Sequence, residues 1–294
     1  MELKYLANRF KTALSSIYDE DEAHAIFLIA IAHVLHYSKG DYLLKKETIL
    51  SVENTNKLEQ ILVQLATGRP IQYVLGEAYF YGLQFKVNES VLIPRPETEE
   101  LVEWILSVCS LQFAIEEPRV NILDIGTGSG CIAVALKKHL PIAQVLALDI
   151  AADSLAIAQE NALFNHVDIE FILDDILSPQ PTTLKLKPTI IVSNPPYIKE
   201  DEKEAMHTNV LVHEPHRALF VSNENPLVFY HAIADFALEN LTANGLLFFE
   251  INEYLGKQTV DLLNHKGFNN IQLKKDMQGK DRMICCTKPE DETV

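Results

Sequence analysis

Apolar residues Leu3, Leu6, Ala7, Phe10, Ala13, Leu14 and Ile17 recur at steps of three and four, which puts them on one face of a helix over residues 3–17. The acidic run Asp19 to Glu22 suits a second helix start, and AIFLIAIAHVL supplies its broad apolar face. A third helical pattern over residues 57–67 carries Leu58, Ile61, Leu62 and Leu65 and stops at Gly68 and Pro70. Between residues 71 and 93 the texture changes to short aromatic and β-branched runs broken at Gly76 and Gly82, which predicts a β-hairpin. Then comes an amphipathic helix in ETEELVEWILSVCSL, followed by strands at 120–124, 144–149, 168–173, 189–193, 245–251, 270–274 and 282–287. Helical patterns at 131–139, 153–165 and 226–241 lie between them, and such alternation predicts a parallel sheet covered on both faces. DMQGKD is too short to carry a crossover helix, so the last two strands are expected to be antiparallel neighbours. The expected organisation is a helical domain (1–75), a hairpin connector (76–93) and an α/β domain (94–294).

Composition sharpens this picture. Of 294 residues 48% are hydrophobic, ample for buried cores, and the formal net charge is −16. Residues 1–75 hold 8 basic and 9 acidic side chains, so nearly all the excess negative charge belongs to the remainder. That balance opposes non-specific binding to nucleic acid or to an anionic membrane. The near-neutral helical segment is the part expected to recognise a protein partner. Four cysteines, two of them adjacent, make no disulfide framework, and Cys285 with Cys286 fits strand packing. MELKYLANRF lacks a secretory apolar core and no apolar run is long enough to span a bilayer, so a cytoplasmic location is expected. His207, His213 and His216 lack further ligands that would make them a metal site, and none is expected.

The first chemical motif is NILDIGTGSGCIAVAL, an apolar strand running through Asp124 into Gly126, Gly128 and Gly130 and then a helix. Glycines allow a tight turn and close ligand approach, and the helix start offers free N–H groups to an anion. The spacing is G-x-G-x-G, because Cys131 stands where a dinucleotide fingerprint has its last glycine, and no Gly-Lys-Ser/Thr follows. A nucleotide-type cofactor other than a dinucleotide or a bare triphosphate is implied. Asp149 ends the next strand, where a carboxylate accepts from ribose hydroxyls, and Asp175 with Ile176 follows the third strand, placed for an adenine. The second motif, PTIIVSNPPYI, ends a strand in Asn194, Pro195, Pro196 and Tyr197. Two prolines stiffen the loop and remove donors, which leaves carbonyl and amide oxygens to accept from a planar NH₂ group stacked on the tyrosine.

Together these motifs resemble the class I amino-methyltransferases that use S-adenosylmethionine. NPPY alone is shared with adenine and cytosine N-methyltransferases. GRPIQYVLGEAYFYGLQFKVNESVLIPRPETEELVEW (68–104), DIGTGSG (124–130), NPPYI (194–198) and EPHRAL (214–219) resemble the HemK/PrmC family, which methylates the N5 amide nitrogen of the glutamine in the GGQ loop of peptide chain release factors. The resemblance implies a seven-stranded Rossmann-like sheet, mostly parallel with an antiparallel last strand, after a small helical domain. It implies that Asp124, Gly126, Thr127, Gly128, Ser129 and Gly130 bind the methionine end of S-adenosylmethionine, Asp149 the ribose, and Asp175 with Ile176 the adenine, with Asn194 also touching the cofactor. Asn194 and Pro195 would hold the substrate amide, Pro196 and Tyr197 would pack against it, and Arg95 and Thr98 would support the substrate loop. Some relatives carry an aromatic residue where this chain has Ile176. Two rivals remain: an adenine methyltransferase acting on nucleic acid, and a cofactor-binding protein without turnover.

Overall fold

The computed structural model describes residues 1–112, 120–179, 184 and 186–290. The chain divides into two compact units, Met1–Glu77 with Met206–His213, and Ala78–Ala205 with Glu214–Val294.

The first unit is helical. In α1 (Leu3–Leu14) the residues Leu3, Leu6, Phe10 and Leu14 are fully buried, which is the face the spacing marked, although the helix ends short of Ile17. α2 (Glu20–Leu35) is capped by Asp19, whose carboxylate accepts from Glu22 N–H at 2.8 Å. A short α3 (Lys39–Lys45), with no apolar period of its own, rests on a reciprocal cap between Ser38 and Asp41. α4 (Val52–Leu65) begins five residues before the apolar pattern, because Ser51 caps a polar first turn. Residues 71–75, expected in a hairpin, form α5 (Ile71–Leu75): Pro70 precedes the turn, and Gly76 closes it at φ 71°. Ile71 and Tyr73 are buried, so burial within the helical unit outweighs the β-branched texture.

The second unit starts at Ala78, within the hairpin of β1 (Glu77–Phe80) and β2 (Leu83–Lys86), which is turned by Tyr81 and Gly82, both at positive φ. Phe80 and Phe85 sit in its core with Trp104 of α6 (Pro96–Gln112). Then follow β3 (Asn121–Ile125), α7 (Cys131–His139), β4 (Gln144–Asp149), α8 (Ala152–Phe164), β5 (Glu170–Leu173) and β6 (Ile190–Ser193). Short β7 (Ile198–Lys199) and β8 (Phe220–Val221) pair in parallel, and α9 (Thr208–His213) between them groups with the first unit instead. There Asn209 donates to the Tyr18 hydroxyl and His207 stacks on the Tyr18 ring, so the expected domain of residues 94–294 gives up this segment. α10 (Val228–Asn240), β9 (Leu246–Glu250), α11 (Gly256–His265), β10 (Asn269–Lys275) and β11 (Asp281–Thr287) complete the chain.

All seven expected strands join one seven-stranded sheet in the order β10-β11-β9-β6-β3-β4-β5. Every neighbouring pair is parallel except β11, which runs antiparallel to both β10 and β9. One face packs on α6 and α7 and the other on α10 and α11, so the central strands β3, β6 and β9 are buried on both sides. β3 leads outward to β4 on one side, and the chain returns to β6 on the other. This reversal opens a crevice at the carboxyl ends of these strands. Among the described residues no helix is long and apolar enough to cross a membrane.

Candidate active site

A cavity of about 390 Å³ occupies that crevice, within the range of small-molecule sites. Three strand ends and two outlying segments line it. Gly126, Thr127, Gly128 and Ser129 come from the turn after β3, Asp149 from the end of β4, and Asp175 with Ile176 from the exit of β5. Asn194, Pro195 and Pro196 follow β6, while Arg95 and Thr98 enter from the PRPETE segment that starts α6. The structure therefore gathers residues that lie up to a hundred positions apart in sequence.

The glycine turn is held by backbone bonds from Gly126 and Thr127 N–H to the Leu148 carbonyl, at 2.8 and 3.0 Å. Gly126 and Gly128 have positive φ, and no atom lies within 4 Å of a Cβ placed on either, so side chains there would take up ligand space. Gly130 does a different job. It is not on the cavity wall, and a Cβ there would stand 3.1 Å from Ala158 Cβ, so its glycine lets α7 and α8 approach closely. Asp124 also lies off the wall. It is buried under the turn, accepts from Thr127 Oγ1 at 2.6 Å, and burial pushes its carboxyl up to about 7.

Asp149 reaches the cavity with its geometry already set. Oδ2 accepts from Gly128 N–H at 2.8 Å and Oδ1 from Ala151 N–H at 2.9 Å, which leaves further lone pairs on each oxygen for ligand hydroxyls. Burial raises its pKa, against those two N–H bonds and the Arg217 charge, which favour the anion. Asp175 Oδ1 accepts from Leu177 N–H at 2.9 Å, so this carboxylate caps its own loop as well as facing the cavity. Ile176 belongs to the same hydrophobic cluster as Leu123, Leu146 and Leu148 of the sheet and lines the cavity with an aliphatic side chain.

Around Asn194 the structure adds residues that the motifs did not reveal. Asn194 Nδ2 donates to Thr98 Oγ1 at 3.2 Å, and Thr98 Oγ1 donates to Glu250 Oε2 at 2.6 Å. Tyr197 Oη donates to the other oxygen, Glu250 Oε1, at 3.0 Å. Tyr197 is thus turned away from the cavity wall, its ring packed into the sheet's hydrophobic core. Glu250 ends β9, is only 1% exposed, and burial holds its carboxyl above the ordinary carboxylate range. LFFEIN reads as a plain strand end, and a lone acidic residue there gives no signal until the fold brings Thr98 and Tyr197 beside it. Arg217 lines the cavity too, and its guanidinium donates to Ser90 O at 2.9 Å and Asp153 Oδ1 at 2.6 Å. Buried Glu214 binds the Arg95 guanidinium and accepts from Ile93 N–H at 3.3 Å, which fastens the PRPETE segment. EPHRAL, quoted above only for its resemblance, supplies both Glu214 and Arg217.

Residues 110–234 match the family model described as methyltransferase small domain, and residues 6–76 match the PrmC N-terminal domain. A release factor glutamine methyltransferase of Flavobacterium psychrophilum is 49% identical over 97% of this chain and 98% of its own. One from Bacteroides thetaiotaomicron is 40% identical over 95% and 97%. Among solved structures, a methyltransferase from Pyrococcus furiosus superposes with a TM-score of 0.50 at 15% identity, over 80% of this chain and 99% of its own, a likeness of fold.

Proposed function

The chain belongs to the release factor glutamine methyltransferase family, and we propose that it transfers a methyl group from S-adenosylmethionine to the N5 amide nitrogen of the glutamine in the GGQ loop of peptide chain release factors. The observation that carries this reading is the position of Asn194, Pro195 and Pro196 on the wall of the cavity that the glycine turn and Asp149 also line. The site fits the cofactor: open space beside Gly126 and Gly128 suits its methionine end, Asp149 its ribose hydroxyls, and Asp175 with Ile176 its adenine. When bound, S-adenosylmethionine supplies a methyl group activated by a sulfonium cation.

The remaining work falls to residues of the chain. An amide nitrogen donates its lone pair into its own carbonyl and attacks poorly, so both N–H bonds must be polarised and the nitrogen held about 3 to 3.5 Å from the methyl carbon. Asn194 Oδ1 and the Pro195 carbonyl accept those two hydrogens, and Pro196 stiffens the strap. The nitrogen becomes acidic once methylated, so its proton leaves to water without a dedicated base. Arg95 and Arg217 line the same cavity, with Arg95 held by Glu214. A release-factor substrate supports the cytoplasmic location expected from the sequence.

Incubating the protein with a release factor and labelled cofactor, then digesting and weighing the loop peptide, tests the reading. A single added methyl on the loop glutamine, lost with Asn194→Ala while cofactor affinity stays, is the expected result. An unmodified loop peptide overturns it.

A further inference from the structure

Asn194 can serve as an acceptor only if its side-chain amide is turned the right way, because its Nδ2 edge would meet a substrate NH₂ donor to donor. We propose that Glu250 and Thr98 are positioning residues that fix this orientation through a relay of hydrogen bonds, holding Nδ2 toward Thr98 and leaving Oδ1 for the substrate amide. The proposal rests on the reading that Asn194 holds the acceptor.

The argument is one of proton counting. A threonine hydroxyl has a single proton. Thr98 gives it to Glu250 Oε2 at 2.6 Å, a short bond to a buried carboxylate that no neutral partner matches. Thr98 Oγ1 can then only accept, and the group it accepts from is Asn194 Nδ2 at 3.2 Å. The second carboxylate oxygen is taken by the Tyr197 hydroxyl at 3.0 Å, so Glu250 is anchored from the NPPY loop as well as from α6. Thr98 is 2% exposed and Glu250 1%, which keeps water from offering the hydroxyl another partner. A relay of this kind has a direction, and the ionised carboxylate sets it. If Glu250 takes a proton, its own O–H can donate to Thr98, the Thr98 proton turns to Asn194, and the amide is driven to the wrong face. The groups facing Glu250 are Tyr197, Tyr230 and Cys131, the like-charged Glu97 of α6 and the opposite charge of Arg282 on β11; burial and Glu97 favour protonation, and Arg282 opposes it.

Three variants of the 294-residue chain test the relay: Thr98→Val, which keeps the shape and removes the hydroxyl; Thr98→Ser, which restores it; and Glu250→Gln. Single-turnover methylation of a release factor and calorimetry with S-adenosylmethionine are the readouts. Thr98→Val and Glu250→Gln are expected to slow methyl transfer at least about tenfold, the effect of an unmatched buried donor, with cofactor affinity held. Thr98→Ser is expected to recover most of the rate. The wild-type rate should fall on the acid side as Glu250 is protonated, and that acid limb should vanish in Thr98→Val. Normal transfer in Thr98→Val, or a Thr98→Ser rate as low as that of Thr98→Val, overturns the relay. Should Thr98→Val not fold, Glu250→Gln decides by the same rate and affinity criteria. Asn194→Ala separates the two ideas: an inactive Asn194→Ala beside a normal Thr98→Val sinks the relay alone, whereas an active Asn194→Ala sinks the acceptor site itself.

Discussion

Two carboxylates around the glycine turn differ in what they face, and each carries its own prediction. Asp149 is held by Gly128 and Ala151 N–H groups and opens to the cavity, so Asp149→Ala removes charge-assisted bonds to ligand hydroxyls as well as a prop of the turn. Affinity for S-adenosylmethionine should drop at least about tenfold by calorimetry, since such bonds contribute roughly 1.5 to 3 kcal/mol. Unchanged affinity in a folded variant removes the assignment. Asp124, buried beneath the same turn with its carboxyl pushed up to about 7, is not among the residues that line the cavity. Between the unfolded value of about 3.9 and that raised value the folded chain keeps a proton that the unfolded chain has released, so this residue makes stability fall as pH rises across the window. Urea unfolding of Asp124→Asn against wild type should therefore show the gap moving in favour of the variant from pH 4 to pH 7. A gap constant with pH contradicts the buried titration. Asp149 could be found from sequence because it ends a strand at the expected distance after the glycines. Glu250 could not, because its significance comes from Thr98, 152 positions away.

At the scale of elements, the central strands were legible because β3, β6 and β9 are apolar runs buried on both faces, and the glycine turn and NPPY mark their ends. What escaped was set by capping or by distant packing: α3 rests on the Ser38–Asp41 cap, α5 on burial of Ile71 and Tyr73, and α9 on Tyr18. Among contacts between elements, Asn161 in the last turn of α8 shows how one polar side chain stitches several together. It is fully buried, donates to Lys86 O and Ser129 O at 2.9 Å each, and accepts from Lys86 N–H at 2.6 Å. It thus ties the hairpin and the glycine turn to one helix. Asn161→Ala leaves three backbone groups without this partner, buried Ser129 O and the part-buried Lys86 N–H and O, and a loss of roughly 1 to 3 kcal/mol is expected. Thermal unfolding checks the stability, and calorimetry should show weaker cofactor binding because Ser129 belongs to the turn. A variant as stable as wild type shows that those groups find other partners.

For the whole molecule the question is which planar NH₂ group reaches Asn194, since adenine and a glutamine amide offer the same two hydrogens. Charge separates them. Residues 76–294 carry 17 basic and 32 acidic side chains, and phosphate-backbone binding depends on the opposite balance. A base must also leave its stack, at a cost of a few kcal/mol that nucleic-acid enzymes recover through backbone contacts. Arg95 and Arg217 at the cavity cannot supply these, because Glu214 holds one and Asp153 the other. A glutamine at the tip of an exposed protein loop needs no unstacking and asks only for a narrow slot beside the rigid Pro195–Pro196 strap. The helical unit, near neutral through residues 1–75, raises no comparable barrier to a protein partner. At about 150 mM salt, where exposed charges are screened beyond roughly 8 Å, the protein should methylate an intact release factor and lose that activity when the loop glutamine is replaced. DNA and RNA should show no saturable transfer under the same conditions. Robust adenine methylation beside an untouched release factor would overturn the assignment of substrate while leaving the cofactor site in place.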